Sequence, residues 1–432
     1  MQNLLPELLP RLEAHRLPGL DAGPQALYPA YHGYSIANLP ASLCHWLGAP
    51  VARSQPLGPE ILENWGPDLP HVIFLVVDGM GLDMLEYALE QARQRSSYAV
   101  WGDLAGSDDT VLAPITSVVP STTAAALTTF WSGCTPAEHA VLGYEVWLKE
   151  YGMIANMILH SPASYYGDVG SLQKAGFDPL TFLTVPTLGP HLVRQGVQPF
   201  VFQFHGIARS GLSTMLQKET NVIPYRSLSD LWATLNDVCE AHASERTYSY
   251  IYWGNLDEHA HRFGPQDERT EQELALFSLQ LEGFVRRRKA RARRDTLLVI
   301  TADHGHMYTP RRPEYELRSH PELLRCLTMM PSGEARLPYV FLRSGCEEQF
   351  LNYLESTWPG QFLPVPTDLA IQSGLFGSGG NSALLKDRVG DYVVFPQGDA
   401  YWWFGSRDNP LLGRHGGLSK TEMLVPFLAT IL

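Results

Sequence analysis

Three apolar stretches of the chain each end in a short polar segment. They are HVIFLVVDGMG at 71–81, YSYIYWGNLDEHAH at 248–261 and DTLLVITADHGH at 295–306. Continuous apolar runs of this kind are typical of strands that are buried on both faces of a sheet. Residues 82–95 and 268–293 have the spacing of amphipathic helices. The alternation predicts an α/β fold with a doubly wound, mostly parallel sheet and helices on both faces.

The rest of the chain fits this alternation less well. Residues 1–70 are rich in proline and glycine and have one short helical pattern at 3–15, so we interpret them as an N-terminal wrap. Residues 71–432 are predicted to form one domain. Parts of 150–245 and 306–400 hold turn residues and aromatics around isolated apolar strands, and we interpret them as insertions that cover the site.

The charge of the chain limits the partners to be expected. Of 432 residues, 45 are acidic and 32 basic, which gives a net charge of −13. An acidic surface argues against binding a nucleic-acid polymer or an anionic membrane, which both require clustered basic residues. The run RRRKARARR at 286–294 is interpreted as the solvated end of a helix, where the helix dipole favours basic residues. Small anionic substrates remain compatible, because a bound metal inverts the local field.

The cysteines and the N-terminus indicate the compartment. The five cysteines form no CxxC pair and are interpreted as reduced thiols. Prolines and charges interrupt the first residues, and no later run is long and apolar enough to span a bilayer. We therefore expect a cytoplasmic protein.

Candidate chemistry lies where the predicted strands end. Asp78 follows the first strand, and the adjacent pair Asp303 and His304 follows another. In doubly wound sheets the ligand lies beyond the carboxyl ends of the strands. Asp78 alone would equally suit a tight Asp-Gly turn, whereas neighbouring Asp and His at a strand end favour a functional role.

Further metal-binding side chains lie in two polar segments. Asp257 and His261 are four residues apart, so a helical turn places both on one face. His415 lies in GRHGGLS, where the glycines allow a close approach of the backbone. His259 and His306 are interpreted as supporting or surface residues.

These aspartates and histidines are stronger evidence together than singly. Asp and His ligands suit zinc, with manganese as the alternative. Three carboxylates gathered in a partly dry site repel one another. Two divalent cations would leave a net charge of about +1, and one alkoxide would bring it near zero. The sequence therefore predicts a site for two divalent metals.

A hydroxyl nucleophile is expected at the start of a helix within 117–144. Pro120 and Ser121 end a strand, after which Thr122 and Thr123 open a helix. Backbone N–H groups at a helix start favour an anion. Simple N-capping by these hydroxyl residues is the alternative interpretation.

With these motifs the sequence resembles the alkaline phosphatase superfamily, and within it the type I phosphodiesterase and nucleotide pyrophosphatase family. The resemblance runs from about 70 to 432 and rests, in order, on VVDGMG, PSTTAAALTTFWSGCTPAEH, LDEHAH, TADHGH and RHGG. It implies a two-metal hydrolase of phosphate esters that acts through a phosphothreonine intermediate on a small substrate, possibly a nucleotide. The resemblance implies that one metal is held by Asp257, His261 and His415, and the other by Asp78, Asp303 and His304, with Thr123 as the nucleophile and ligand.

Thr123 is preferred by its spacing to the motif's proline and to Gly133, with Thr122 and Ser121 as alternatives. The family's phosphodiesterases usually have a phosphoryl-binding asparagine where this chain has Tyr144, which makes Tyr144 a candidate substrate-binding residue. The three residues that follow Thr123 are alanines, which favours a diester or pyrophosphate substrate over a monoester. An arginine from an insertion, such as Arg209 or Arg311, would reverse this preference.

Several alternatives remain open from the sequence. Within the superfamily they are a phosphomonoesterase, a phosphonate hydrolase and a phosphosugar mutase. Outside it, a non-catalytic module that binds a phosphorylated ligand would use the same residues. Aromatic residues between 144 and 166 are candidates for stacking on a base, although packing explains most of them equally well. They are Tyr144, Trp147, Tyr151, Tyr165 and Tyr166.

Overall fold

The computed structural model describes residues 2–51, 54–164, 168–290, 295–378, 380–405 and 407–432. In these residues it contains seventeen strands. They are β1 (Gln2–Asn3), β2 (His71–Val77), β3 (Val111–Thr116), β4 (Glu145–Leu148), β5 (Met153–Asn156), β6 (Ser161–Pro162), β7 (Val197–Phe204), β8 (Asn221–Tyr225), β9 (Arg246–Trp253), β10 (Thr296–Thr301), β11 (Met307–Tyr308), β12 (Ser332–Glu334), β13 (Leu337–Val340), β14 (Phe362–Pro366), β15 (Tyr392–Pro396), β16 (Gly413–Arg414) and β17 (Leu424–Ile431).

Eight of these strands form the central sheet, in the order β1-β3-β17-β10-β2-β9-β7-β8. The three strands predicted from the apolar runs, β10, β2 and β9, are neighbours and run parallel. β17 is antiparallel to both β10 and β3 and was not predicted. The prediction of an α/β fold with a mostly parallel doubly wound sheet is confirmed.

The α-helices pack against this sheet and around the second one. They are α1 (Leu5–Ala14), α2 (Leu39–Trp46), α3 (Pro59–Leu62), α4 (Leu82–Gln91), α5 (Ala99–Ala105), α6 (Thr123–Ser132), α7 (Pro136–His139), α8 (Pro179–Phe182), α9 (Leu188–Arg194), α10 (Gly211–Leu216), α11 (Leu228–Ala241), α12 (Asn255–Phe263), α13 (Glu268–Lys289), α14 (Pro321–Cys326), α15 (Glu347–Thr357), α16 (Thr367–Gln372), α17 (Leu385–Val389) and α18 (Lys420–Met423). The predicted helices at 82–95 and 268–293 correspond to α4 and α13.

The basic run at 286–294 lies at the end of α13. Arg286 is exposed and pairs with Glu282, as expected for a solvated helix end. Arg288 departs from that interpretation, because it is buried and donates to the hydroxyl of Thr296 at 3.1 Å. Residues 291–294 of the run lie outside the described part of the chain.

A second, seven-stranded sheet has the order β14-β15-β13-β12-β4-β5-β6. Its strands come from both segments that the sequence marked as insertions and from the residues just before the first of them. The segment 150–245 is divided, however, since β7 and β8 belong to the central sheet. The first residues are also part of that sheet, because β1 pairs with β3. The division into a wrap and a catalytic domain stays a prediction.

The main hydrophobic core positions the strand ends. Every residue of β2 is buried, and Phe74 packs edge-on against Phe130 of α6 with ring centroids 5.2 Å apart. On α13, Phe277 stacks on Trp253 at 4.3 Å. These contacts fix β2, β9 and α6 relative to one another, and therefore fix the polar residues at their ends.

The cysteines and the helices of the described residues can be stated directly. None of the five cysteines, all of which lie in the described residues, forms a disulfide bond, and four of them are buried. Among the described helices, none combines the length and apolar character needed to cross a membrane.

Candidate metal centre

The carboxyl ends of β2 and β10 bring Asp78, Asp303 and His304 together. Nε2 of His304 lies 3.4 Å from Oδ1 of Asp78 and 3.4 Å from Oδ2 of Asp303. The other oxygen of Asp303 accepts the N–H groups of Gly79 at 3.1 Å and of His304 at 3.0 Å. One oxygen of each carboxylate is therefore left facing the same imidazole.

The second group forms around α12. Asp257 and His261 lie one helical turn apart, with Oδ1 of Asp257 3.4 Å from Nε2 of His261. His415, which follows β16, places its Nε2 3.8 Å from the same oxygen and 3.1 Å from Nε2 of His261. The sequence motif LDEHAH is thus helical, which is the condition under which the spacing places both side chains on one face.

The two groups form one continuous cluster. The rings of His304 and His415 stack with centroids 3.7 Å apart. Ligand atoms that lie within 4.8 Å of one another form three sets, each able to hold a metal ion. They are Asp78, Asp303 and His304; Asp257, His304 and His415; and Asp257, His261 and His306. All six side chains predicted as ligands are therefore brought together.

The histidines are oriented so that each presents Nε2 to the cluster. Nδ1 of His261 donates to the carbonyl of Gly413 at 2.9 Å, and Nδ1 of His415 to the carbonyl of Ser121 at 3.0 Å. Nδ1 of His304 faces the carbonyl of Gly305 at 3.1 Å. A carbonyl partner selects the tautomer with its proton on Nδ1, which leaves a lone pair on Nε2 for a metal.

The unpaired atoms of the cluster fit divalent cations. Oδ1 of Asp78 and Oδ2 of Asp303 are buried without a hydrogen-bond partner. Two Nε2 lone pairs 3.1 Å apart, on His261 and His415, repel each other unless a proton or cation lies beside them. Oxygen and imidazole ligands in this arrangement suit zinc or manganese.

The electrostatics also favour bound cations. Burial raises the pKa of Asp78 well above its usual range, and the charges of Asp257 and Asp303 add to the rise. Burial alone would raise the pKa of Asp257, but the imidazoles of His261, His306 and His415 outweigh it and hold that pKa well below its usual range. Burial lowers the pKa of His415, and neighbouring His304 and His261 lower it further. Cations would neutralise the clustered carboxylates without requiring protonated histidines.

Two residues support the proposed ligands, and the sequence analysis considered one of them and missed the other. His306 is buried, and its Nε2 lies 2.7 Å from Oδ1 of Asp257, so the surface alternative for it is wrong and the supporting alternative fits. Tyr252 was missed: its hydroxyl donates a short hydrogen bond to Oδ2 of Asp78. The signal available was its place in β9 two residues before the polar loop. His259 instead faces the carbonyl of Asn255 in its own helix.

Thr123 lies at the edge of this cluster. It is the first residue of α6, and its Oγ1 is 3.2 Å from Nε2 of His304. Thr122 occupies the N-cap position, but its side chain makes no capping hydrogen bond. Ser121 is used elsewhere, since its hydroxyl donates to the carbonyl of Gly417 at 2.8 Å and accepts from the N–H of Gly416 at 3.2 Å. Of the three hydroxyls, that of Thr123 is the one in contact with His304 of the ligand cluster.

A buried carboxyl group, Glu334, also lies beside Thr122 and was missed. It ends β12 of the second sheet, accepts the N–H of Tyr144 at 2.6 Å and interacts with the hydroxyl of Thr122. Burial raises the pKa of Glu334 to about 8. No sequence motif marks it, because the contact depends on the pairing of distant strands. Through Glu334 the main chain of Tyr144 is joined to the side chain of Thr122.

The two arginines that the sequence analysis considered for a monoester site, Arg209 and Arg311, both lie at the surface. Arg209 is exposed, and Arg311 is exposed and donates to the carbonyl of Pro410 at 2.7 Å. Arg414, beside His415, is buried and its guanidinium lies 3.7 Å from the ring centroid of Tyr401.

The aromatic residues near Tyr144 serve packing where they are described. Trp147 contacts Phe341 edge-on at 6.3 Å, and Tyr151 packs against Phe177 at 5.6 Å. Tyr165 and Tyr166 lie outside the described residues.

Comparison with known proteins identifies the family of the chain. Residues 72–417 match the model of the type I phosphodiesterase / nucleotide pyrophosphatase family. The chain belongs to this family. Accordingly, it is a hydrolase of phosphoester bonds, and the family is metal-dependent. The non-catalytic binding module considered from the sequence is thereby set aside. No protein with a curated description matches the chain in sequence.

Solved structures share the fold of this family member at low sequence identity. Murine ectonucleotide pyrophosphatase / phosphodiesterase 5 is 16% identical with a TM-score of 0.61, over 83% of this chain and 88% of that one. Human ectonucleotide pyrophosphatase / phosphodiesterase 5 is 14% identical with a TM-score of 0.59, over 83% and 87%. Phosphonoacetate hydrolase from Sinorhizobium meliloti 1021 is 17% identical with a TM-score of 0.58, over 84% and 90%. The matches cover nearly the whole length of those proteins.

Proposed function

We propose that the chain is a phosphodiesterase or nucleotide pyrophosphatase with Thr123 as its nucleophile and two divalent cations as cofactors. The observation that carries the proposal is the position of the Thr123 hydroxyl, 3.2 Å from Nε2 of His304 at the edge of the cluster that contains the six proposed Asp and His ligands. A hydroxyl at the first turn of a helix, beside a metal site, is placed for attack on phosphorus.

The residues divide into two sets of ligands. Asp257, His261 and His415 would hold one cation, and Asp78, Asp303 and His304 the other, with Thr123 beside the second. When bound, the cations supply Lewis-acid stabilisation of developing negative charge and favour the deprotonated form of the Thr123 hydroxyl. We favour zinc over manganese, because imidazole and carboxylate ligands in equal numbers suit it.

The chain's own residues then carry the reaction in two steps. Oγ1 of Thr123 gives up its proton to solvent and forms a bond to phosphorus while the bond to the leaving-group oxygen breaks. Water then attacks the phosphothreonine, which releases the phosphoryl group and returns a proton to Oγ1. Backbone N–H groups at the start of α6 bind the phosphoryl oxygens in both steps. Tyr144 is proposed to line the substrate side of the site.

The substrate class follows from charge and from the related structures. No basic residue follows Thr123 in the turn Ala124–Ala126, which suits a substrate with one negative charge at phosphorus. An inactive threonine-to-alanine variant of murine ectonucleotide pyrophosphatase / phosphodiesterase 5 was solved in complex with AMP, which supports both a nucleotide product and a threonine nucleophile. Phosphonoacetate hydrolase in complex with phosphonoformate keeps phosphonate hydrolysis as the second candidate.

The test compares esters and maps the covalent intermediate. We expect the zinc-loaded protein to hydrolyse bis-p-nitrophenyl phosphate faster than p-nitrophenyl phosphate or phosphonoacetate. Thr123→Ala should lose at least about 10³-fold in kcat, whereas Thr123→Ser should keep part of the activity.

Acid quenching followed by peptide mass spectrometry locates the phosphorylated residue. We expect it at Thr123 in the wild type and in Thr122→Ala. A phosphorylated Thr122 or Ser121 would assign the nucleophile to that residue instead. Faster turnover of the monoester or of phosphonoacetate would overturn the proposed substrate class.

A further inference from the structure

Glu334 is a buried carboxyl group that the proposed mechanism leaves unused. Only 8% of the residue is exposed. Its Oε1 accepts the N–H of Tyr144 at 2.6 Å, and its carboxyl group interacts with the hydroxyl of Thr122. Since Thr122 directly precedes Thr123, Glu334 lies one residue from the proposed nucleophile. A phosphoryl group bound at Thr123 would therefore meet the field of this carboxyl group.

Close backbone contacts fix this position. A Cβ atom on Gly143 would lie 2.8 Å from Cα of Gly333, and one on Gly416 would lie 2.6 Å from Cβ and Cγ of Glu334. Because real Cβ atoms do not approach so closely, only glycine allows these segments to meet. The side chain of Glu334 is thus held between Thr122 and the loop that carries His415.

The charge of this carboxyl group matters because the net charge of the proposed metal centre is small. Three aspartates and two divalent cations leave a net charge of about +1, and an ionised Glu334 reduces it to about zero. The two arginines closest in sequence to these loops do not compensate, since Arg336 pairs with Glu422 at 2.7 Å and Arg414 lies over Tyr401. An incoming phosphomonoester dianion is then repelled more strongly than a diester monoanion.

We propose that Glu334 is a specificity-determining residue, which in its ionised form makes the site discriminate against phosphomonoester dianions and in favour of phosphodiesters. This inference rests on the proposed function. It assigns the discrimination between monoesters and diesters to a side chain of the second sheet, which is neither a proposed metal ligand nor part of the segment Ser121–Thr123.

Three variants test the inference at pH 9, above the pKa of about 8 that burial gives Glu334. Glu334→Gln keeps the size of the side chain and removes its charge. Glu334→Asp keeps the charge. Glu145→Gln is the matched control, because Glu145 is part-buried nearby, pairs opposite Gly333 and has its pKa raised to about 7 by burial.

The quantity measured is the ratio of kcat/KM for bis-p-nitrophenyl phosphate to kcat/KM for p-nitrophenyl phosphate in the zinc-loaded protein. We expect Glu334→Gln to lower this ratio by about tenfold through faster monoester turnover, while Glu334→Asp and Glu145→Gln stay near the wild type. The inhibition constant of inorganic phosphate should fall by about tenfold in Glu334→Gln, which reports on charge independently of turnover.

An unchanged ratio and an unchanged inhibition constant in folded Glu334→Gln would overturn the inference and leave the proposed function standing. An equal loss of both activities without tighter phosphate binding would overturn it too, because a merely structural role predicts that result. A wild type that hydrolyses neither ester would overturn the proposed function and this inference with it.

Discussion

Oδ1 of Asp257 lies 2.7 Å from Nε2 of His306, closer than to either histidine with which it is proposed to share a metal. An N–H donated by His306 to this oxygen fixes the direction of the carboxylate. Groups that orient metal ligands in this way typically contribute 10- to 100-fold to metal affinity. We therefore expect His306→Ala to weaken zinc binding by about 10- to 100-fold, measured by calorimetric titration of the metal-free protein.

The matched control is His259→Ala. It also removes an imidazole, but one that faces the carbonyl of Asn255 in its own helix at 2.8 Å. We expect its zinc affinity to equal that of the wild type. Wild-type affinity in His306→Ala would show that His306 does not orient Asp257.

Metal removal should lower stability independently of catalysis. Six proposed ligands come from distant segments, so cations that bind the folded state stabilise it by about 2.7 kcal/mol at a hundredfold excess over Kd. We expect a chelator to lower the Tm of the wild type and of Thr123→Ala alike. In Asp257→Asn the metal-dependent rise in Tm should be smaller. Equal responses of all three proteins would place the cations elsewhere, and an anomalous-scattering map would show where.

Local sequence patterns were enough to predict most of the fold and of the ligand cluster. β2, β9 and β10 are apolar along their length because they are buried on both faces, so their polar ends are visible in the sequence, and Asp78, Asp257 and Asp303 follow from them. β17 was not predicted as a strand, and its apolar residues would not have revealed its antiparallel direction. β1 was missed for another reason: two residues, Gln2 and Asn3, are too short to show a period.

Contacts between distant segments account for what the sequence did not reveal at the site. Tyr252 is one aromatic among many in β9, and only the register of β9 on β2 places its hydroxyl against Asp78. Glu334 reaches Thr122 because β12 pairs with β4 in the second sheet. Neither contact produces a spacing that can be read along the chain.

Tyr252→Phe should affect the metal centre through Asp78. The hydroxyl donates to Oδ2 of Asp78, and Oδ1 has no partner other than the proposed cation. Without the hydroxyl the carboxylate gains rotational freedom, so we expect about a tenfold or greater loss of zinc affinity. Tyr250→Phe is the control, because Tyr250 is buried in the same strand and its hydroxyl interacts with Trp131 instead of a proposed metal ligand. Equal zinc affinities of the two variants would contradict an orienting role.

Stability should depend on pH through the buried pair of Glu422 and Arg336. Nη2 and Nε of Arg336 donate to the two carboxylate oxygens at 2.7 and 3.1 Å, and both side chains are almost fully buried. Glu422 also accepts the N–H of Gly417 at 2.9 Å, which ties the pair to the loop of His415. Burial alone would raise the pKa of Glu422, but Arg336 outweighs it and lowers that pKa below 4.5.

A depressed pKa in the folded state means that the pair stabilises the protein above pH 4.5 and stops doing so as the pH falls through the folded-state pKa. Glu422→Gln leaves the guanidinium buried without a counter-charge, so we expect it to cost about 3–5 kcal/mol at pH 7. The comparison uses urea unfolding of the metal-free proteins, and the difference should shrink as the pH falls from 4.5 through the lower folded-state pKa, because the carboxylate of the folded wild type is protonated only there. Asp368→Asn breaks the exposed pair with Lys386 and should cost about 0–1 kcal/mol. A Glu422→Gln difference that is as small, or that does not change with pH, would mean that the buried pair contributes no net stability.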